Sequence, residues 1–231
     1  MGKVIQFEPA YIRLVTNNIN GMKFKKLELL NFCEKYNLDV IFVQETWLKG
    51  ERFTFPNYNV FRNDREARPK GGTLILCKKH IPAFSIPNPD TTIEGTFIQI
   101  KTKYQILNLG SVYSSPAATF DQQNFKNIFE NNNTTLIAGD LNAKNAEWGC
   151  RATNAKGRTL AKVLECQDFT LLAPEEHTHI ATGGGGSDIL DIFLAKNINT
   201  LISTPKAIYD LTSDHLPVLL ELGDPAERGG G

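Results

Sequence analysis

The sequence carries no excess charge of either sign and no long apolar run. Lys and Arg together number 25, and so do Asp and Glu, giving a formal net charge of zero. Binding to nucleic acid would therefore have to rest on a local basic patch rather than on overall charge. No apolar run approaches the roughly 18 residues of a membrane-spanning helix. Residues 1–10 lack the apolar segment of a signal peptide, so we expect no membrane contact and no secretion.

Cysteine is also scarce. Cys33, Cys77, Cys150 and Cys166 form no C-x-x-C pair, and no histidine lies at the spacing of a zinc ligand. We therefore expect reduced, mostly buried thiols in an intracellular protein. The 231 residues suffice for one domain with a full core.

We place the predicted domain at residues 11–223. A lead-in covers residues 1–10, and a glycine-ended flexible tail covers residues 224–231.

The most informative stretch is Leu136–Asn142, an apolar run that ends in Gly-Asp-Leu-Asn. Such a run predicts a buried strand. Period-two geometry would then place Asp140 and Asn142 on the same side of the chain. A carboxylate beside an amide forms a compact polar site. Taken alone, a turn is the commoner explanation, because Gly, Asp and Asn are all turn formers.

Polar side chains recur at the ends of other predicted strands. Strands are predicted at residues 12–17, 40–44, 57–62, 73–77, 96–101, 104–113, 136–140, 170–172, 189–194 and 216–220. Polar residues lie at the ends of these strands, directly after them, within one of them, or directly before the last one. They are Asn18, Glu45, Tyr113, Asp140, Asn142, Asp191, Asp214 and His215. A single Glu is normally exposed. A shared polar rim at one end of a layered sheet core explains the repeated pattern better.

Helical periodicity predicts helices over residues 23–36, 120–130 and 157–167. The apolar face predicted for the first of them consists of Phe24, Leu27, Leu30 and Cys33.

Residues 179–194 predict a hairpin in which residues 179–182 pair with residues 189–194. Its tip, Gly183–Ser187, contains four consecutive glycines and has little conformational preference. This composition is typical of a shortened loop.

A basic loop separates two of the predicted strands. It carries Arg62, Arg65, Arg68 and Lys70 against Asp64 and Glu66. Either a solvated loop or a phosphate-contacting loop fits this composition. Lys78, Lys79 and His80 extend the basic stretch along the sequence.

Six short motifs occur in a characteristic order: N-x-N-G, Q-E-T, V-Y-x-x-P, G-D-L-N, L-D-I-F and S-D-H-x-P. Together they resemble the exonuclease–endonuclease–phosphatase superfamily, which includes abasic-site endonucleases and pancreatic-type deoxyribonucleases. The resemblance runs from Ile12 to Leu222. G-D-L-N-A-K-x-x-x-W-G, N-x-x-G-R-x-L and S-D-H-L-P-V are most similar to the endonuclease domain of jockey-like insect non-LTR retrotransposons.

This resemblance implies an α/β fold, a four-layer α/β sandwich with two mixed β-sheets packed face to face and helices outside. It also implies a metal-dependent phosphodiesterase that nicks double-stranded DNA to give 3′-hydroxyl and 5′-phosphate ends. The expected cofactor is Mg²⁺, with Mn²⁺ as a substitute. A reverse transcriptase domain normally follows on the same polyprotein, and the 3′-hydroxyl primes it. We expect nuclear action on chromosomal DNA and a monomeric isolated domain.

Roles carried over from the resemblance assign the metal to Glu45 and Asp214. Asp140 would activate or orient the attacking water. Asn18 and Asn142 would hold the water and the phosphate oxygens.

By the same resemblance, Tyr113 would contact the scissile phosphate, and Asp191 would orient His215 beside it. His215 is open to three roles: acid, base or electrostatic clamp. Asn20 stands where abasic-site enzymes often carry an acidic residue, so one metal and two metals are both open.

Specificity is expected in loops at the margins of the site, at residues 62–70, 144–158 and 180–188. The candidate DNA contacts are Arg62, Arg65, Arg68, Lys70, Lys144, Arg151, Thr182 and Gly184. A glycine tip offers no side chain to insert into a groove, which predicts weak or altered sequence selectivity. The alternatives are an abasic-site DNA repair endonuclease, a phosphatase of phosphoinositides or sphingolipids, and an inactive binding module.

Overall fold

The computed structural model describes residues 11–66, 69–102, 105–130, 133–181 and 186–223. In these ranges the strands are β1 Tyr11–Asn18, β2 Val40–Gln44, β3 Tyr58–Asn63, β4 Thr73–Lys78, β5 Ala83–Ile86, β6 Glu94–Lys101, β7 Ile106–Tyr113, β8 Thr134–Asp140, β9 Thr170–Leu172, β10 His179–Ile180, β11 Ser187–Asp188, β12 Asp191–Lys196, β13 Leu201–Ile202, β14 Lys206–Ala207 and β15 Val218–Gly223. The helices are α1 Lys26–Lys35, α2 Gln122–Phe129 and α3 Ala155–Cys166, with a 3-10 turn at Ala146–Trp148. Among the described helices, none is both long and apolar enough to cross a membrane.

Two large sheets face each other. The first has the order β13-β15-β1-β2-β4-β3 with β14 beside β15, and the second has the order β5-β6-β7-β8-β12-β9. An apolar layer that includes Phe42 and Phe193 is buried between them. Helix α1 packs on the outer face of the first sheet, and α2 and α3 pack on the outer face of the second. The predicted four-layer α/β sandwich is therefore confirmed.

Each large sheet contains one parallel pair of strands joined through a helix. β1 pairs with β2 and β7 pairs with β8, so within each pair the carboxyl ends lie at one edge. The registers place Asn18 beside Gln44 and Tyr113 beside Asp140. β12 runs antiparallel to β8 and begins with Asp191 opposite Asp140. The two pairs therefore deliver polar residues from both sheets to neighbouring strand ends.

The amino terminus of α3 is fastened to the loop that follows β8. The Asn154 side chain accepts from the backbone N–H of Gly157 at 2.8 Å and from that of Lys144 at 3.1 Å. Its Nδ2 donates to the carbonyl of Asn142 at 2.9 Å. A Cβ at position 157 would overlap the Lys144 carbonyl oxygen, so only glycine allows this close approach.

The Gly157→Ala variant is expected to lower the free energy of unfolding by roughly 1–3 kcal/mol, because the added methyl group overpacks the junction. Urea denaturation measures the change. Arg158→Ala, at the exposed next residue, is the matched control and should change stability by less than about 0.5 kcal/mol. Equal stability of the two variants would contradict the close packing of α3 on this loop.

The first predicted helix was wrong at its start and in two of the four residues of its predicted apolar face. Helix α1 begins at Lys26, and Phe24 and Leu27 are 91% and 69% exposed. Its buried residues are Leu29, Phe32 and Cys33. Phe24 lies in the turn that leads out of β1 and so is not part of the helix. Of the four residues predicted for the apolar face, Cys33 is buried and Leu30 is partly buried against the same core.

The predicted hairpin was wrong in its pairing. β10 pairs with β11, so His179 faces Asp188 and Ile180 faces Ser187. The apolar run that was predicted to complete the hairpin is β12, which joins the second sheet. Pairing with β8 buries this apolar run. Pairing with a short exposed strand would leave the run unburied.

The four cysteines are free thiols. Cys33, Cys77 and Cys150 are buried and Cys166 is exposed, as expected for mostly buried thiols.

Candidate active site

A cleft of about 290 Å³ opens at the edge where the strands end. It is lined by Asn18, Asn20, Glu45, Lys70, Pro116, Asp140, Asn142, Lys144, His179, Leu190, Asp214 and His215. Two further predicted residues, Tyr113 and Asp191, contact this lining through Glu45 and His215. The structure thus brings together every residue that the sequence placed on the polar rim.

Three donors hold the carboxylate of Glu45. Its Oε1 accepts from the Tyr113 hydroxyl at 2.8 Å and from Asn18 Nδ2 at 3.2 Å, and its Oε2 accepts from Trp47 Nε1 at 3.0 Å. Burial, and then the charge of Glu45, raise the pKa of Tyr113 well above its ordinary value. Tyr113 is therefore a neutral hydroxyl donor at physiological pH.

Asp140 is buried beneath the cleft. Its Oδ1 accepts from the backbone N–H of Asn142 at 2.8 Å, and its Oδ2 accepts from Asn18 Nδ2 at 3.0 Å and Asn142 Nδ2 at 3.2 Å. Burial raises the pKa of Asp140 to about 6, against the opposing effect of the nearby His215. This pKa suits a group that accepts a proton near neutral pH.

The predicted geometric reason for the contact between Asp140 and Asn142 was wrong. β8 ends at Asp140, and Asn142 has a left-handed backbone with φ of 50°. The chain therefore turns back, and the amide reaches the carboxylate through a turn rather than through strand periodicity.

His215 is held between two carboxylates. Its Nδ1 lies 2.8 Å from Asp191 Oδ2, and its Nε2 lies 3.9 Å from Asp140 Oδ2. Burial alone would lower the pKa of His215, but the charges of Asp191, Asp140 and Asp214, with the Asp191 hydrogen bond, raise it to about 9. The neighbouring carboxylates therefore favour the imidazolium form of the ring.

The oxygen atoms at the cleft fit a hard divalent cation. Asp214 Oδ1 accepts from Asn20 Nδ2 at 3.1 Å, and Glu45 contributes the second carboxylate of the lining. Carboxylate and amide oxygens are the ligands such cations prefer. His179 also approaches Asp214 and His215, with potential ligand atoms within 4.8 Å of one another.

Sequence reasoning missed His179, whose ring centroid lies 4.6 Å from that of His215. It also missed a buried lysine. Lys156 Nζ donates to the carbonyls of Ser114 at 3.1 Å, Ser115 at 2.5 Å and Leu141 at 3.4 Å. It therefore ties together the chain segments that follow β7 and β8. Burial lowers the pKa of Lys156 to about 8. No periodicity marks it, since lysines in the first turn of a helix are normally exposed.

The Lys156→Met variant is expected to lower the turnover rate on DNA about 10- to 100-fold, because a small displacement of Asp140 and Asn142 spoils the reacting geometry. Nicking kinetics should show the loss in kcat rather than in KM. Lys162→Met, at an exposed position of the same helix, is the matched control. A parallel fall in thermal stability without a kcat effect would show that Lys156 is only structural.

The residues predicted to contact DNA have different environments in the structure. Arg62 donates to the Glu51 carbonyl at 2.7 Å. Arg65 pairs with Glu94 and lies over the Tyr113 ring, 5.6 Å from its centroid. These two arginines are therefore engaged within the protein.

Lys70 and Lys144 line the cleft, and Lys144 pairs with Asp188 at 2.7 Å. Arg151 Nε donates to the Ser187 carbonyl at 2.8 Å. Arg68, Thr182 and Gly184 lie outside the described residues.

Lys78 does not extend the basic loop in space. It ends β4 opposite the start of β2, where it pairs with Asp39 at 3.1 Å. The cleft lies at the other end of β2, beyond Gln44. Residues 78–80 therefore lie at the end of the sheet that is opposite the cleft.

The β10–β11 hairpin is fastened at its base. The Ile180 N–H donates to the Asp214 carbonyl at 2.8 Å, and the Ala181 N–H donates to the Gly186 carbonyl at 3.1 Å. Asp188 Oδ1 accepts from the backbone N–H of Arg151 at 3.0 Å. Both ends of the hairpin are thereby attached to the walls of the cleft.

Comparison with known proteins agrees with this geometry. A family model described as "Endonuclease-reverse transcriptase" matches residues 107–219. The probable RNA-directed DNA polymerase from transposon X-element of Drosophila melanogaster is 29% identical over 219 residues, covering 91% of this chain and 24% of that protein. The RNA-directed DNA polymerase from mobile element jockey of Drosophila funebris is 28% identical over 202 residues, covering 84% and 22%. The chain spans about a quarter of the length of these relatives.

Solved structures share the fold. The endonuclease domain of TRAS1, a telomere-specific non-LTR retrotransposon, superposes with a TM-score of 0.78 at 20% identity, covering 92% of this chain and 98% of that chain. An AP endonuclease from Leishmania major superposes with a TM-score of 0.70 at 14% identity, covering 95% and 90%.

The two facing mixed sheets are therefore a fold that the chain shares with these solved structures. The sequence comparisons point in the same direction. Over residues 107–219 the chain is similar to the endonuclease–reverse transcriptase family, and over most of its length it is similar to the transposon proteins X-element and jockey.

Proposed function

We propose that the chain is a Mg²⁺-dependent endonuclease that nicks double-stranded target DNA and leaves 3′-hydroxyl and 5′-phosphate ends. The observation that carries the proposal is the arrangement of Asp140 in the cleft. It is a buried carboxylate held by two amides and set 3.9 Å from the imidazole of His215, whose charged form the neighbouring carboxylates favour. This arrangement places a proton acceptor beside a positive charge, which is what hydrolysis of a phosphodiester by water requires.

Glu45 and Asp214 would hold the Mg²⁺, and Mn²⁺ would replace it. Such a cation neutralises charge on the phosphate and stabilises the leaving oxygen. Tyr113 and Asn18 fix the Glu45 carboxylate for this purpose through their hydrogen bonds at 2.8 and 3.2 Å.

Side chains of the protein would carry out the other steps of the proposed hydrolysis. Asp140 accepts the proton of the attacking water, and the Asn18 and Asn142 amides hold its carboxylate in place. His215, kept charged by Asp191, acts as an electrostatic clamp on a non-bridging phosphate oxygen. Of the three roles open to His215, the clamp fits best, because the carboxylates of Asp191 and Asp140 lie on both sides of the ring and favour its charged form.

In the proposed biological role, the 3′-hydroxyl at the nick primes reverse transcription of the element. The support is that the relatives are RNA-directed DNA polymerases about four times the length of the aligned segment. A reverse transcriptase domain on the same polyprotein would use the nick. The reaction would take place in the nucleus, where chromosomal DNA lies, and the isolated domain would act as a monomer.

Nicking of supercoiled plasmid tests the proposal. We expect Mg²⁺-dependent conversion to the open circular form, stopped by EDTA and by His215→Ala. A duplex with one abasic site, run beside its intact counterpart, separates the repair alternative, which requires strong preference for the abasic strand. A folded protein that cleaves neither DNA would overturn the proposal and direct the search to phosphoinositide and sphingolipid phosphate esters.

A further inference from the structure

Trp47 is an exposed aromatic side chain at the rim of the cleft. The chain has two tryptophans, and Trp148 is buried while Trp47 is 37% exposed. Trp47 lies two residues after Glu45, and its Nε1 donates to the Glu45 carboxylate at 3.0 Å. The indole is therefore adjacent to the carboxylate that would hold the metal.

The backbone that presents this side chain is unusual. Glu45 and Trp47 both adopt left-handed conformations, with φ of 51° and 56°. Such conformations are uncommon for large side chains and persist only where surrounding contacts fix them. Here the Trp47 N–H donates to the Gly71 carbonyl at 3.0 Å, and the Gly21 N–H donates to the Glu45 carbonyl at 2.9 Å. The fold thus maintains a strained turn without burying the indole that it carries.

The indole of Trp47 packs against the backbone of Gly21. A Cβ at Gly21 would lie only 2.8 Å from Trp47 Cε3, so the ring packs directly on the glycine. The Lys70 ammonium lies over the ring, 5.2 Å from its centroid, and Lys70 also lines the cleft. A rigid aromatic surface and a cation therefore stand together at the cleft rim.

We propose that Trp47 stacks on a nucleobase that flanks the scissile phosphate and is unpaired or partly unstacked in the complex, while Lys70 contacts the adjoining phosphate. The inference rests on the proposed function and adds a base-binding subsite to it. An aromatic ring with a neighbouring cation is the combination that binds unpaired nucleotides, because every base has a stacking face and every linkage a negative charge. The hydrogen bond to Glu45 places the ring beside the carboxylate that is proposed to hold the metal.

A competing role for Trp47 is to orient Glu45 through the same hydrogen bond. Two substitutions separate the roles. Trp47→Phe keeps an aromatic face and removes the N–H, whereas Trp47→Ala removes both. Stacking predicts that Trp47→Ala loses more activity than Trp47→Phe, whereas orientation of Glu45 alone predicts equal losses.

The first experiment measures kcat/KM on a labelled duplex after its cleavage position has been mapped. We expect Trp47→Phe to lose activity only through the missing hydrogen bond to Glu45, and Trp47→Ala to lose about 5- to 150-fold more than Trp47→Phe, the range for one stacked base. On duplexes with a tetrahydrofuran residue in place of each flanking base in turn, one position should abolish the difference between Trp47→Phe and Trp47→Ala. Equal losses in both variants, or a Trp47→Ala variant as active as the wild type, would overturn the inference.

A second experiment does not require cleavage. Fluorotryptophan incorporated into the unchanged sequence gives two ¹⁹F signals, and Trp47→Phe identifies the one from Trp47. Adding duplex DNA with one unpaired base, in EDTA, should shift the Trp47 signal and leave that of Trp148 in place. An unmoved Trp47 signal would overturn stacking. A shifted signal in a protein that cleaves no DNA would support the subsite and count against the nuclease proposal alone.

Discussion

The Asp140→Asn variant is expected to nick supercoiled plasmid about 10²- to 10⁴-fold more slowly than the wild type, the range expected when a positioned proton acceptor is lost. The amide keeps the size of the side chain and its place between Asn18 and Asn142. It cannot accept a proton from water at neutral pH. Nicking rates at saturating Mg²⁺, with a thermal melt of each protein, measure the effect.

Asp90→Asn is the matched control. Asp90 is also buried, and its carboxylate accepts from Asn124 and Asn127 on α2 and is absent from the cleft lining. This variant should nick at the wild-type rate, whatever its stability. If both variants lost activity in proportion to their stability, Asp140 would have a structural role and no chemical one.

The Glu45→Gln variant is expected to raise the Mg²⁺ concentration for half-maximal nicking by about 100-fold or more. Loss of a hydrogen bond to a metal ligand already lowers metal affinity about 10- to 100-fold. Loss of the charge of the ligand itself should lower metal affinity at least as much. The neutral amide still fits between Tyr113 and Trp47, so the fold should be kept. A Mg²⁺ titration of the nicking rate gives the shift.

Glu28→Gln, which alters a carboxylate on α1 that bonds Thr212, controls for the general loss of one negative charge. Its Mg²⁺ titration should match that of the wild type. A Glu45→Gln variant that lost rate at every Mg²⁺ concentration, with an unchanged midpoint, would assign Glu45 to phosphate chemistry and not to the metal.

The layered fold was predictable because its strands are short apolar runs that stop abruptly at polar residues. Val40–Gln44 and Leu136–Asp140 can be buried only between layers, and each ends where a polar side chain meets the cleft. The pairing of Asp191 with His215 was also predictable, because an aspartate inside an apolar strand requires a polar partner.

Other features depend on long-range packing that local patterns do not encode. β12 was assigned to a hairpin because it follows β10 in sequence, yet its partner β8 lies about fifty residues earlier. Lys156 is buried only because loops after two different strands bring carbonyl groups to it. Trp47 is exposed because left-handed backbone holds its turn, and that conformation has no signature in residues 45–47.

The attachment of the β10–β11 hairpin at its base has a consequence for changes made to the tip of this hairpin. Its anchors, at Ile180, Ala181, Gly186 and Asp188, bond to each other or to neighbouring segments through backbone groups and one carboxylate. Peptides of other lengths grafted between Ala181 and Gly186 would keep these anchors. A library confined to that interval would vary the margin of the proposed nuclease site while the residues of the cleft stayed constant, so the proposed target choice could be changed separately from the proposed chemistry.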